Sequence, residues 1–399
     1  MPTLEFRRMN RGEWGDLFAL LWLCYDGKLA LGDPLNGITS KMLPIDAVIR
    51  NDGDEGLVSY HLWPDEVEIM GHRRRVVVSR YRFGEEAFRL QDEIREGKGR
   101  SFTLSLPLLG FLEEILVDNP KGNSLPWDLD GLKIGEKSDL LIETHEPNDG
   151  KRKGIGLSIK SEFAGEATLQ NGSQTTNFLY RLDGIGEEEA KYVNSLYRND
   201  GGDIDLNARC NFLREHAHIS CEGLANPMGV FRENLKLIAE DEEKIFGQIL
   251  LLHYFGKEHQ SRLSVMPALL GSTIADPGLR KETELKVKQK IAAYLFASFS
   301  GMVPTKSWSG ERAIDAGYLH IGADFQPIAN LAAEQERFQD YLLLVTRLEH
   351  ASSRGTRADY GYVFNRNGCY HICLNLQIRF AGERFKPNPF HAPQPNSSD

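Results

Sequence analysis

No apolar run in this chain approaches the roughly 20 residues that a bilayer-spanning helix needs; the longest, residues 17–25 and 292–299, are short. A membrane-embedded protein is therefore not expected. Residues 1–11 contain Glu5, Arg7, Arg8 and Arg11 and lack the apolar core and small-residue cleavage site of a signal peptide. Cysteine is scarce: five residues, at positions 24, 210, 221, 369 and 373, are too scattered and too odd in number for a disulfide framework. A reducing, cytoplasmic setting is expected. Positive charge is also in deficit, 47 Lys and Arg against 57 Asp and Glu for a net charge of -10. That excludes a general nucleic-acid coat, but not a local basic cleft beside metal-binding acids. No Walker A pattern points to an NTPase.

What is present is the composition of a soluble globular protein, 41% hydrophobic and 26% charged over 399 residues. That length allows one large domain or two of ordinary size. Residues 13–23 have a helical apolar pattern, and a Gly/Pro/Asn passage follows over 27–37. Short alternating runs at 47–50, 57–62, 67–70 and 74–80 predict a small antiparallel β region. Residues 85–96 and 107–117 predict helices, the first ended by Gly97 and Gly99. Residues 187–196, 234–255 and 283–299 predict further helices. The chain returns to β character at 318–321 and in a hairpin of 361–364 with 370–380, joined through Asn367-Gly368. The prolines after residue 381 predict a loose tail.

The chemically informative pair is in the centre. Residues 139–144 and 154–161 predict two strands around a polar turn, with Asp139 opening one and Lys160 near the end of the other. Period-two alternation puts Gly156, Ser158 and Lys160 on one face, with Leu157 and Ile159 on the reverse. Asp139 can give a carboxylate oxygen to Mg²⁺, which polarises a scissile phosphate and activates water. Lys160 can orient that water or stabilise charge on the phosphoryl oxygens. The bland reading is an ion pair between neighbouring strands, and the spacing alone favours it.

The residues around the pair add a resemblance. Gly154-Ile155-Gly156-Leu157-Ser158-Ile159-Lys160-Ser161-Glu162, with Ala167-Thr168-Leu169-Gln170-Asn171-Gly172-Ser173-Gln174-Thr175-Thr176-Asn177-Phe178, resembles the central signature of the HpaII family of type II restriction endonucleases. Gly84-Glu85-Glu86-Ala87, Gly97-Lys98-Gly99-Arg100-Ser101-Phe102 and Leu374-Asn375-Leu376-Gln377-Ile378-Arg379-Phe380 extend the likeness over most of the chain. The resemblance implies an α/β (α+β) fold of the PD-(D/E)XK nuclease type, a mixed β-sheet core flanked by helices, with additional N-terminal and C-terminal β/helical elements. It implies Mg²⁺-dependent cleavage of double-stranded DNA at CCGG, a cognate DNA methyltransferase as genetic partner, and a homodimer on the palindrome. The expected organisation is a possible DNA-contacting subdomain over 1–83, a catalytic core over 84–200, a recognition region over 201–380 and a flexible tail over 381–399.

By that resemblance the superfamily aspartate falls on Asp139 and its lysine on Lys160. The acid two before the lysine is replaced by Ser158, a weaker metal ligand that can still hold a metal-bound water. Glu162 is the expected supplementary acid and second metal ligand, having the right strand parity if the strand runs that far; Glu143, Glu113 and Glu114 are alternatives. Expected DNA contacts are Asn171, Ser173, Gln174, Thr176 and Asn177, whose side chains suit base edges and phosphates. The same residues also suit a capped polar turn. Arg73, Arg74, Arg75, Lys98 and Arg100 are expected phosphate clamps with His72, Arg80 and Arg82; Arg347, Arg354 and Arg357 form a second basic group. His216, His218 and Cys221, and Cys369, His371 and Cys373, lack a full zinc pattern and are expected in core or surface roles. Another nuclease of the superfamily, acting in repair or on mobile elements, and a noncatalytic DNA-binding module remain the competing readings.

Overall fold

The structure is a computed structural model. It describes residues 8–33, 37–52, 56–72, 74–98, 101–117, 122–126, 128–129, 131–134, 137–145, 152–163, 167–198, 203–256, 260–313, 315–332, 335–350 and 360–381. These fall into two units. The first joins the chain up to Ala167 with Arg312–Tyr341, and the second holds Thr168–Glu311 with Leu342–Ala381. The partition departs from boundaries at 83 and 200. The early β region and the central hairpin share one sheet, and two strands from beyond residue 311 complete it.

Among the described residues the first unit carries a ten-stranded mixed sheet. Its order is Gly37–Pro44, Lys28–Asp33, Pro327–Leu331, Ala316–Ile321, Arg152–Ser161, Leu140–His145, Ala47–Asn51, Leu57–Leu62, Glu66–Met70 and Arg75–Ser79. Arg152–Ser161 pairs antiparallel with Leu140–His145 on one side and parallel with Ala316–Ile321 on the other. The expected α/β class, a mixed sheet flanked by helices, is therefore what the chain builds.

One face of this sheet is covered by Arg11–Asp26 and Arg80–Glu96. The first helix starts at a capping box, in which Asn10 and Glu13 satisfy each other's backbone N–H. It ends at Gly27 with φ 62, a left-handed position that glycine adopts without strain. Leu17, Phe18, Leu20 and Leu21 are fully buried, each contributing about 1.5–3 kcal/mol of transfer free energy. Leu157 and Ile159 supply the sheet side of this core.

The second unit is built on a four-stranded sheet, His218–Leu224, Asn177–Asp183, Cys369–Asn375 and Val363–Arg366, with a three-stranded sheet of Thr168–Asn171, Gln377–Phe380 and Thr346–Leu348. The Asn-Gly hairpin forms as expected, with positive φ at both Asn367 and Gly368.

Two expectations need correction. The single helix over 234–255 is two, Val230–Ile238 and Glu242–Phe255, because Ala239 is extended between them (φ -162, ψ 148). The passage over 27–37 is largely strand, Lys28–Asp33 leading to Gly37–Pro44. Its turn is confined to 34–36, outside the described residues.

Candidate active site

The central hairpin is held together partly by its own candidate catalytic residue. Asp139 immediately precedes the strand Leu140–His145, and its N–H donates to Leu157 O at 2.9 Å. The N–H of Ile159 in turn donates to Asp139 Oδ2 at 2.7 Å. Extrapolating the register one step beyond Leu140↔Leu157 puts Asp139 opposite Ser158, on the same face of the sheet.

The glycines of the strand explain how that face is organised. A Cβ on Gly154 would lie 2.2 Å from Leu132 Cδ1, and one on Gly156 would lie 2.5 Å from Ile134 Cβ and 2.6 Å from Ser138 Oγ. Leu132, Ile134 and Ser138 therefore lie directly against the strand backbone, leaving the face to Ser158 and Lys160 further along. Ser158 is buried, and Lys160 is part-exposed.

Lys160 Nζ donates to Ile159 O at 3.0 Å. Among the described residues, no ion pair joins it to Asp139 or to another carboxylate. The bland reading of Asp139 and Lys160 as a cross-strand ion pair therefore fails. The ammonium is held near the hairpin without being neutralised by it, as a group receiving phosphate requires.

Glu162 does continue the alternation. Its N–H donates to Ile321 O at 3.0 Å, extending the parallel ladder one residue past Ser161. Yet four residues separate it from Ser158, about 13 Å of strand, so it does not sit beside Asp139. Its Oε1 faces His320 Nε2 at 3.2 Å. Tyr318 and His320 are aligned with Ser158 and Lys160 on the neighbouring strand, and both are buried. Burial raises the phenol pKa of Tyr318 well above its ordinary value, and the nearby charge of Glu162 adds to the rise. Sequence reading missed both residues. The alternating Tyr318 and His320 within a short β run was the only signal, and it does not say which strand lies beside them.

The other proposed acids are placed elsewhere. Glu143 shares the face of Asp139 but lies four residues along the strand, again about 13 Å away. Glu114 forms a two-pronged pair with Arg82, at 2.6 and 2.9 Å. Among the described residues, no three His, Cys, Asp or Glu side chains converge as a metal cage. The donor set fits magnesium, which takes one or two carboxylates and completes its shell with water and substrate phosphate. Asp139 would supply one such carboxylate.

The expected DNA contacts divide by burial. In the second unit, Asn171, Ser173 and Gln174 are exposed, whereas Thr176 and Asn177 are buried. The buried pair serves the fold: Asn375 Nδ2 donates to Ser173 O at 2.6 Å, to Asn177 Oδ1 at 2.7 Å and to Thr176 Oγ1 at 3.2 Å. In the first unit, Arg74, Arg75 and Lys98 are exposed, and Arg75 is paired with Glu68. Arg80 closes the end of the first helix by donating to Tyr25 O, and Arg347 pairs with Glu349. Arg73, Arg100, Arg354 and Arg357 lie outside the described residues. His371 contacts Glu222 at 3.3 Å and Cys369 O at 3.1 Å, and His216 contacts Phe212 O.

The model of the HpaII restriction endonuclease family matches residues 10–380. This chain belongs to that family. It is a restriction endonuclease, and double-stranded DNA is its substrate class. The chain is also similar to the type II restriction enzyme HpaII of Haemophilus parainfluenzae, at 28% identity over 387 residues, which is 94% of this chain and 99% of that enzyme. No solved structure shows a significant match. No helix among the described residues is long and apolar enough to cross a membrane.

Proposed function

We propose that this member of the family is a type II, magnesium-dependent deoxyribonuclease that cuts CCGG through a PD-(D/E)XK-type centre at Asp139 and Lys160. The observation that carries this reading is the state of the two charges. Asp139 is braced by the Ile159 N–H, while Lys160 has no carboxylate within ion-pair distance among the described residues. A structural ion pair would neutralise the lysine; a phosphodiester site must keep that charge for its substrate.

In this mechanism Asp139 holds the metal, and magnesium, when bound, supplies the Lewis acid that polarises the scissile phosphate. Lys160 orients the attacking water and offsets the charge that develops on the phosphoryl oxygens. Ser158 lines the floor of the site beside Asp139. Asn171, Ser173 and Gln174 read base edges, and Arg74, Arg75 and Lys98 with Arg73, Arg100, Arg354 and Arg357 grip the backbone. Thr176 and Asn177 shape the turn that presents the exposed three.

The CCGG sequence rests on the family and on the likeness to the Haemophilus parainfluenzae enzyme. A palindromic site suits a homodimer on DNA. A cytoplasmic enzyme of this type requires a methyltransferase that protects host sites.

The test is digestion of a mixed-sequence duplex library with Mg²⁺, followed by sequencing of the ends. Cuts confined to CCGG are expected. Scattered, mismatch-directed or flap-directed cuts would sink the specificity, and duplex binding without cleavage would favour a noncatalytic module.

A further inference from the structure

The acid missing at position 158 leaves the site one carboxylate short, and the parallel strand beside it holds an arrangement that addresses the deficit. His320 is aligned with Lys160 in the ladder, and its side chain is only 3% exposed. Its Nε2 lies 3.2 Å from Oε1 of Glu162, whose side chain is 25% exposed. That Oε1 atom is itself buried, and its contact with His320 Nε2 is at ion-pair distance without hydrogen-bond geometry. Only Oε2 is therefore available to a water, a hydrated ion or a phosphate. The backbone of Glu162 is fixed as well, through its N–H to Ile321 O at 3.0 Å.

A buried imidazole against one oxygen of a part-exposed carboxylate is the arrangement by which outer-shell groups orient reactive ones. The strand arithmetic says which group is oriented. Ser158 and Glu162 are each two residues from Lys160, so they flank it on one face about 7 Å to either side. Asp139 serves the Ser158 side, and Glu162 serves the other.

Resting on the nuclease reading above, we propose that His320 is a positioning residue that holds Glu162 as the second acid of the site. This acid acts across Lys160, on the side of the lysine away from Asp139. His320 does not touch DNA, because its side chain is buried. It acts by denying Glu162 its other rotamers and by fixing which oxygen points outward. The preference for Ser158 over an acid follows from the same geometry. A carboxylate there would sit beside buried Tyr318, in an environment that penalises charge.

The experiment is a double-mutant cycle on the full chain. Cleavage of a CCGG duplex is measured at saturating Mg²⁺, with duplex affinity in Ca²⁺ and thermal midpoint measured in parallel. Glu162→Gln and His320→Leu are each expected to lower the rate 10- to 100-fold while duplex affinity stays within threefold. The double variant is expected to be no slower than Glu162→Gln alone, because the imidazole has nothing left to orient. His320→Gln, which restores an N–H, is expected to recover most of the rate. If the leucine variant does not fold, His320→Met takes its place in the cycle, since an unbranched side chain adapts to the pocket.

Multiplicative losses in the double variant would overturn the proposal, as would a folded His320→Leu protein that cleaves at the wild-type rate. Wild-type protein that binds duplex but cuts nothing with Mg²⁺ would overturn the nuclease reading, and this proposal with it.

Discussion

The N–H of Ile159 donates to Oδ2 of Asp139 at 2.7 Å, so the metal-binding candidate is also a rung between two adjacent strands. In the proposed mechanism one carboxylate does two jobs, and the two can be separated by substitution.

Asp139→Asn keeps an oxygen that accepts from Ile159 but loses the charge; Asp139→Ala loses both. Cleavage is expected to fall at least 1,000-fold in either variant, on the order of effects seen when charge-stabilising groups leave an active site. Stability is expected to diverge. The alanine variant loses a hydrogen bond to a charged group, costing about 1.5–3 kcal/mol, whereas the asparagine variant loses much less. Denaturant unfolding checks this; equal stabilities would show that the Ile159 bond contributes nothing.

Ser158 and Lys160 differ in the same assay. Ser158 is buried and carries no charge, so Ser158→Ala is expected to cost less than tenfold in rate. Lys160→Ala removes the cation and is expected to cost 100- to 10,000-fold with the fold retained, in the range for a lost acid–base group. Rates at saturating Mg²⁺ measure both. A Ser158→Ala loss as large as that of Lys160→Ala would make the hydroxyl a direct participant.

The polar turn of the second unit predicts a split between folding and recognition. Asn375 is fully buried and donates to three acceptors in 173–177. Asn375→Ala strands those acceptors and is expected to destabilise the protein by about 2–4 kcal/mol. Gln174→Ala, at an exposed position, is expected to leave the melting temperature within about a degree and to weaken binding to CCGG duplex by about tenfold. Melting curves and duplex titrations in Ca²⁺ read the two effects. A Gln174→Ala protein with unchanged discrimination against altered sites would remove that residue from recognition.

Much of this was legible in the chain. The hairpin of Asp139 and Lys160 shows in its alternation, because a strand with one buried face must repeat every two residues. Helix ends at Gly27 and near Gly97 show through backbone chemistry. The sequence does not reveal that Ala316–Ile321 runs parallel beside Arg152–Ser161. That pairing joins residues more than 150 positions apart, and local patterns carry no record of it. His320 was invisible for that reason. The burial of Thr176 and Asn177 was hidden for a related one: polar side chains look alike whether they meet solvent or an amide such as Asn375.

Glu242 gives a prediction that concerns stability alone. It opens the helix Glu242–Phe255 and is fully buried, with no hydrogen-bond partner for either carboxylate oxygen among the described residues. Burial pushes its pKa up to about 8, with Asp241 adding to the rise and Lys290 opposing it. Lys290 is itself paired with Asp241, so its help to Glu242 is limited. Below the unfolded value of 4.5, both folded and unfolded chains carry the proton, and the favourable neutral burial is fully present. Between 4.5 and about 8 the folded chain retains a proton that the unfolded chain releases, so stability falls as pH rises through this window. The slope approaches about 1.4 kcal/mol per pH unit for one such group. Glu242→Gln preserves the shape and cannot ionise. Its melting temperature is expected to match the wild type near pH 5 and to exceed it by several degrees near pH 8.5. Melting curves of the two proteins that stay parallel across this range would show that Glu242 finds compensation for its charge in the fold.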